Sequence, residues 1–371
     1  EKNKAVQEQD FEEASRLKDE QYKLENELSN MIVKKSVKKP LPVITKKQVA
    51  KIIELKTKIP IYEVNNDTKA LLKKLNKNLK EKILGQDEII NSICAYTRKI
   101  YFGFKKDKPY SFLFVGPTGV GKTLFVKEYA TSLYGSDNFI RIDMSEYKEE
   151  YSISKLLGSA PGYVGYREDN TVMEKIRNHP NCVILLDEIE KASPAVIKVF
   201  LQALDEGVVH DAVGRSISFK NAIIFMTSNL GCNNLSIGFM DDNSLNQSLK
   251  DFLSVEFLNR IDKVFTFKKL DEVVVKKIIN KKLNMLKKQY YDKDINVVFS
   301  KKIVDNILAK SNYLEYGARK IDKIIEEEVE NYIMEEIICG NSSISVREFW
   351  GVIIYIDLYL CYNCWHEKVI I

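Results

Sequence analysis

Residues 116–123 read Gly-Pro-Thr-Gly-Val-Gly-Lys-Thr directly after the apolar run Phe112-Leu113-Phe114-Val115. That order of residue types suits the holding of phosphates. Glycines let successive backbone N–H groups curl towards an anion, Lys122 supplies a compact positive charge, the Thr123 hydroxyl is a ligand for Mg2+, and the helix expected next offers its positive end. The predicted nucleoside-triphosphate-binding stretch is Gly116, Pro117, Thr118, Gly119, Val120, Gly121, Lys122, Thr123 and Leu124. A phosphate cradle also needs a metal partner and a base at the end of a neighbouring strand. Val183-Ile184-Leu185-Leu186-Asp187-Glu188 offers both, Asp187 for the Mg2+ shell and Glu188 to polarise the attacking water. A further apolar run, Ala222–Met226, ends in Thr227-Ser228-Asn229. Asn229 can orient that water or sense the γ-phosphate; the alternative is a turn-forming Asn that caps a strand.

These groups require a scaffold that brings several strand ends together. From Ser111 to Phe267 short apolar runs alternate with helical stretches: Phe112–Val115, Phe139–Ile142, Cys182–Leu186, Ala222–Met226 and Val264–Phe267. Continuous apolar runs imply strands covered on both faces, hence a parallel sheet in an α/β domain. Residues 67–103 read as helical. After Asp271 the strand signals give way to helices at about 271–291, from an N-cap at Ser300 to about 310, and at about 317–338. At the other end, Ala14, Leu17, Gln21, Leu24, Leu28 and Met31 recur every three or four residues, a coiled-coil or helical-hairpin seam. A Lys-rich linker with Pro40, Pro42 and Pro60 follows, with a short helix expected near Lys46–Leu55. The resulting division is 1–32 helical segment, 33–76 linker, 77–267 α/β domain, 268–344 small helical domain and 345–371 tail. An edge strand is one option for the tail.

The chain has 371 residues, 45% of them apolar, and its 57 basic against 52 acidic residues leave a net charge of +5. So small a surplus, spread over scattered lysines, argues against a dedicated nucleic-acid surface. Six cysteines, Cys94, Cys182, Cys232 and Cys339 isolated, do not form a disulfide framework, so a reducing compartment is expected. Cys361, Cys364 and His366 offer three ligands of zinc-like spacing but no second Cys pair. The most apolar stretch, Val352–Tyr362, is too short to span a bilayer and contains Asp357, so no membrane association is expected. The first residue is Glu within a charged helical pattern, which reads as a fragment or processed product.

The motifs around the cradle resemble the AAA+ ATPases, and in particular the second ATPase module of the two-ring Clp unfoldases, over roughly residues 1–340. The resemblance rests on Ile83-Leu84-Gly85-Gln86-Asp87-Glu88, Arg141–Tyr147, Asp187–Ala192, Phe219-Lys220-Asn221, Met226–Asn229, Phe257–Asp262 and Tyr316-Gly317-Ala318-Arg319, all in family order. It implies a P-loop AAA+ sheet flanked by helices and followed by a small all-α lid. It also implies ATP and Mg2+ as cofactors and ATP hydrolysis in a hexameric ring, homomeric or mixed. By matching position, Ile83 and Leu84 would line the adenine pocket and Arg260 would be an arginine finger acting on a neighbouring subunit. Arg319 would be a second sensor in the lid. For Arg260 in Asn-Arg-Ile-Asp the alternative is a salt bridge with Asp262.

In the resembling family the loop Gly158–Tyr166 lines the pore, where Tyr163 and Val164 would grip unfolded polypeptide substrates. Val208–Arg215 would be a second pore element with His210 and Asp211 near its tip. Ala160 and Asp169-Asn170 depart from the family's Pro and Gly pair. Ile237-Gly238-Phe239 resembles the loop with which ClpC-type and ClpA-type unfoldases dock on the ClpP peptidase, the alternative being an apolar tuck that holds down a long loop. Residues 5–19 resemble the ClpC middle region, where adaptor proteins bind. The reading that follows is an unfoldase subunit that threads polypeptides into a ClpP-like peptidase and is not itself a peptidase. Alternatives are a ClpB-like disaggregase without a peptidase, a catalytically idle assembly subunit, or a nucleic-acid motor. Further departures are Val255 for Pro, Lys56 for a linker Trp, and residues 345–371. Enrichment in Lys, Asn and Ile suggests an AT-biased genome, hence a bacterial cytoplasm or plastid-type stroma.

Overall fold

The computed structural model describes residues 11–35, 44–45, 48–49, 52, 66–102, 106–158, 171–230, 249–250 and 252–346. The chain divides into two compact units, Glu1–Thr57 and Lys58–Ile371. The first carries helix α1 (Phe11–Lys35), whose seam residues Leu24 and Leu28 are exposed.

The second unit is built on five parallel strands: β1 (Tyr110–Val115), β2 (Phe139–Asp143), β3 (Val183–Asp187), β6 (Ile223–Ser228) and β7 (Lys263–Thr266). Their order is β2-β3-β6-β1-β7, with the hairpin strands β4 (Val208–His210) and β5 (Ser216–Ser218) paired separately. The uninterrupted apolar runs have a plain cause, since alternate side chains of each strand enter different cores. Phe112, Phe114, Val183, Leu185, Ile223 and Phe225 belong to one core. Their neighbours Leu113, Val115, Ile184, Leu186, Ile224 and Met226 belong to the other.

On the first face lie α2 (Asn66–Lys82), α3 (Asp87–Tyr101) and α4 (Lys122–Tyr134). Here Phe114 packs against Phe125 at 5.1 Å and Phe267 at 4.9 Å between ring centroids. Tyr129 reaches a buried partner in Thr97, 2.9 Å from its hydroxyl. The second face is covered by α5 (Ile153–Leu157), α6 (Val172–Asn178), α7 (Pro194–Glu206) and α8 (Val255–Asn259). The helical stretch expected over 67–103 is two helices, because Gly85 takes φ +81° and turns the chain. Beside it Gln86, almost fully buried, exchanges two hydrogen bonds with the backbone of Lys268 (3.0 and 3.3 Å).

The lid begins with α9 (Glu272–Tyr291), capped by Asp271, whose carboxylate accepts from Val274 N–H at 2.7 Å. It continues through α10 (Lys301–Ser311), α11 (Tyr313–Tyr316), α12 (Arg319–Ile324), a π-helical segment (Ile325–Glu330) and α13 (Asn331–Ile338). The lid is not purely helical: β8 (Asn296–Phe299) pairs in parallel with β9 (Ser343–Val346), placing Val297 and Ile344 in the core.

Candidate functional site

The strand ends Val115, Asp187 and Ser228 lie along one edge of the sheet, and the predicted residues gather there. The cradle leaves β1 at Gly116, whose N–H donates to Ser228 O (3.3 Å). Two glycines show why no larger residue fits. A Cβ on Gly119 (φ +76°) would stand 2.2 Å from Tyr316 O, while Gly121 (φ +97°) faces open space yet holds a conformation only glycine adopts readily. The close approach at Gly119 is reciprocal: Ala318 N–H donates to Gly119 O (3.0 Å), so the lid meets the cradle backbone to backbone at this point.

Lys122 opens α4 and is buried, its ammonium donating to Gly116 O (2.6 Å), Pro117 O (2.9 Å) and Asn229 Oδ1 (2.8 Å). The Asn229 amide nitrogen stands 3.5 Å from Glu188 Oε1, and its backbone N–H donates to Glu190 Oε1 (3.0 Å). Next to Lys122, the Thr123 hydroxyl donates to Asp187 (3.1 Å to Oδ1, 3.3 Å to Oδ2). Glu188 takes a left-handed backbone (φ 57°), unusual for a side chain of that size, and its N–H donates to Thr227 Oγ1 (3.0 Å). Thr227 in turn donates to Asp187 Oδ1 at 2.6 Å. The structure brings Lys122, Asn229 and Glu188 together on one side and Thr123 and Asp187 on the other, with Thr227 bonded to both Glu188 and Asp187. Gly-lined N–H groups and a buried ammonium fit a phosphate chain. Thr123 and Asp187 provide the hard oxygen ligands that fit Mg2+.

Of the remaining predicted residues, Ile83 is packed in the core and Leu84 is half-buried beside it, so Leu84 is the accessible member of that pair. Leu124 is 46% exposed on the first turn of α4, and Arg319 is exposed on the first turn of α12. Pro117 and Thr118 are half-buried and Val120 is buried. Tyr163, Val164, Ile237, Gly238, Phe239, Cys361, Cys364 and His366 lie outside the described residues.

Arg260 does not pair with Asp262. Asp262 is already engaged by Ser111 N–H (3.0 Å) and by Lys106, and Arg260 instead meets Asp205 at 3.2 Å. The carbonyl of Arg260 accepts from Ser111 Oγ (3.1 Å), which fixes it at the start of β1. Five residues of extended chain, roughly 16 Å, separate Ser111 from Gly116. Arg260 therefore stands at the opposite edge of the sheet from its own cradle. The second loop predicted as a pore element also differs from expectation. Asp211 is buried and accepts from Val213 N–H (3.0 Å), Arg215 N–H (2.8 Å) and Arg215 Nε (2.6 Å), so the exposed residues here are His210, Val213, Gly214 and Arg215. Burial alone would raise the Asp211 carboxyl, but the Arg215 bonds hold it below the usual carboxylate range.

Sequence reasoning assigned no role to Arg141, Thr227 or Gln86. Arg141 pairs with Asp187 (Nη2 2.7 Å, Nε 3.0 Å) and stands 3.6 Å from Asp143. Its one signal was a charge within the apolar run Phe139–Ile142. Asp143 is held below the usual carboxylate range, chiefly by the Ser145 hydroxyl.

Residues 107–264 match the family model for the AAA domain (Cdc48 subfamily), and residues 270–347 match that for the C-terminal, D2-small domain of ClpB protein. Among curated proteins, the chain is 40% identical over 344 residues to the ATP-dependent Clp protease ATP-binding subunit ClpE of Lactococcus lactis, covering 90% of this chain and 46% of the relative. It is 41% identical over 298 residues to the chaperone protein ClpB of Malacoplasma penetrans (80% and 42% covered). It is 36% identical over 360 residues to the Clp subunit ClpC of Staphylococcus aureus (92% and 44%). A closed-state cryo-EM reconstruction of Hsp104 with ATPγS and FITC-casein superposes with TM-score 0.74 at 29% identity, covering 83% of this chain and 55% of that one. The chain spans about half the length of the curated relatives it matches.

Proposed function

The chain belongs to the Clp-type AAA+ proteins, an AAA domain followed by a ClpB-type small domain, and from that premise we propose that it is an ATP-driven protein unfoldase subunit. The observation that carries the reading is the convergence of Lys122, Asn229 and Glu188 with Thr123 and Asp187 on one cradle. Backbone N–H groups and Lys122 bind the phosphates; Thr123 and Asp187 would hold Mg2+, which when bound would supply charge neutralisation for the phosphoryl group. Glu188 accepts a proton from the attacking water, which Asn229 orients from beside it.

The position of Arg260 supports action in a ring. An arginine this far from its own cradle serves a γ-phosphate bound by a neighbouring subunit, so hydrolysis depends on assembly, a hexamer being the expected form. Leu84 and Arg319 complete the nucleotide pocket, and Arg319 passes the state of the nucleotide to the lid. The work of hydrolysis is traction on an unfolded polypeptide, gripped by Tyr163 and Val164. Ile237-Gly238-Phe239 docks the ring on a ClpP-like peptidase, as the protease-subunit names of the ClpE and ClpC relatives suggest. A reducing compartment such as a bacterial cytoplasm suits the free cysteines.

The test is ATP-dependent degradation of a tagged fluorescent protein by the assembled chain plus a ClpP-type peptidase. Tyr163→Ala should keep ATPase activity and lose degradation. Phe239→Ala should keep ATPase activity and lose peptidase binding. The ClpB-type small domain and the ClpB relative favour a second reading, disaggregation without a peptidase. Recovery of aggregated protein with no peptidase binding would select it, and absence of hydrolysis by the assembled ring would leave only an assembly role.

A further inference from the structure

We propose that Arg141 is a stand-in cation for the Asp187 carboxylate, seated there when no divalent ion is bound and withdrawing to Asp143 when one enters, so that it sets the metal concentration at which the cradle becomes competent. The inference rests on the reading of Thr123 and Asp187 as the Mg2+ ligands.

The Asp187 carboxylate offers about four acceptor positions, and they are taken. Thr227 Oγ1 donates at 2.6 Å, Thr123 Oγ1 at 3.1 and 3.3 Å, and Arg141 at 2.7 Å through Nη2 and 3.0 Å through Nε. A metal ion with its water shell enters only if a donor leaves. Thr227 is fixed, because it is buried and its oxygen also accepts the Glu188 N–H that holds the left-handed turn. Thr123 is itself a ligand, whose oxygen lone pair faces the ion while its hydroxyl hydrogen stays on Asp187. Arg141 is the exchangeable donor: its side chain is 51% exposed, whereas that of Asp187 is 7% exposed.

Arg141 also has somewhere to go. It precedes Asp143 by two residues in β2, so the two share a face of the strand. Asp143 pairs in register with Asp187 across the ladder. The same Nη2 that touches Asp187 is 3.6 Å from Asp143 Oδ2, so a small swing carries the charge from one carboxylate to the other. The other middle residues of the strand are apolar, and the ion pairs that Arg141 makes among the described residues are with these two acids.

The experiment is titration of Mn2+, followed by its paramagnetic resonance signal, into the full chain saturated with ADP. Arg141→Ala should lower the Mn2+ half-saturation about threefold to fivefold, the scale of a partly exposed ion pair that no longer competes. Arg141→Lys should fall between, since an ammonium cannot make the paired contact. Asp143→Asn should move the other way, raising the half-saturation about twofold, because the displaced guanidinium loses its second seat. Should Arg141→Ala not fold, the opposite signs of the other two variants decide. Unchanged or weaker Mn2+ binding in the Arg141 variants overturns the proposal while the metal site stands. Failure of the wild-type chain to take up Mn2+ with ADP removes both.

Discussion

The two edges of the same sheet are built on opposite terms. At the carboxyl edge each catalytic candidate is held by another: Lys122 by Asn229, Thr123 by Asp187, and Asp187 by Thr227, which also holds the Glu188 backbone. At the amino edge Asp262 and Ser111 lock the backbone by mutual hydrogen bonds, while the Arg260 side chain has one partly exposed ion pair and a buried Nε with no partner among the described residues. One edge is preorganised within a single chain. The other presents a cation held by a single partly exposed ion pair.

The sharpest way to break that comparison is Arg260→Ala. If the two edges belong to different composite sites, hydrolysis should fall by on the order of 10³ or more while nucleotide affinity stays within about twofold. Mixing this variant with Lys122→Ala should restore part of the activity, because mixed rings then contain sites that combine an intact cradle with an intact finger. Lack of any restoration in a mixed assembly would place Arg260 outside the reaction.

Lys122→Ala attacks the carboxyl edge directly. It removes the phosphate-binding charge and strips Asn229 Oδ1, Gly116 O and Pro117 O of their shared donor. A loss of about 3 kcal/mol, roughly 100-fold in Kd for a fluorescent ATP analogue, is expected. Binding within a few-fold of wild type would mean that the backbone N–H groups alone suffice.

The difference between the edges also explains what the sequence could reveal. The carboxyl edge is legible because the cradle is continuous in sequence and because Asp187, Glu188 and Asn229 each end an apolar run, so strand position and function coincide. Its internal wiring is not legible. Nothing in the order of residues says that Arg141 turns to Asp187 or that Thr227 holds Glu188, since both bonds cross between strands. At the amino edge, Asp262 was the alternative partner that proximity in sequence offered Arg260, and Ser111, far away in the chain, engages it instead. For the same reason β8 and β9 escaped notice, being short strands far apart whose pairing no local pattern announces. Gly85, by contrast, carried a local signal for the break between α2 and α3.

Asp262→Ala separates architecture from chemistry. The buried Ser111 N–H would lose its carboxylate acceptor, which costs about 1–3 kcal/mol. Tm should fall by roughly 2–4 °C per kcal/mol in a unit of this size, with ATP affinity unchanged because the cradle lies about 16 Å away along β1. Asp262→Asn keeps an acceptor oxygen and should cost less. A drop in nucleotide affinity equal to the drop in stability would show that the two edges are mechanically one.

The smallest effect should come from Asp205→Ala. Arg260 and Asp205 are 36% and 43% exposed and 3.2 Å apart, a pair worth at most about 1 kcal/mol in stability. If Asp205 merely parks the guanidinium, its removal leaves Tm nearly unchanged and hydrolysis within about twofold of wild type, with any change upward, since the cation is freed to cross to a neighbour. If Asp205 aims the guanidinium, hydrolysis falls with Arg260→Ala. The unpartnered Nε argues for parking, because an aimed arginine would have both sides of its fork fixed. An ATPase rate for Asp205→Ala as low as that of Arg260→Ala would show instead that the amino edge is preorganised after all, and the contrast between the edges would no longer hold.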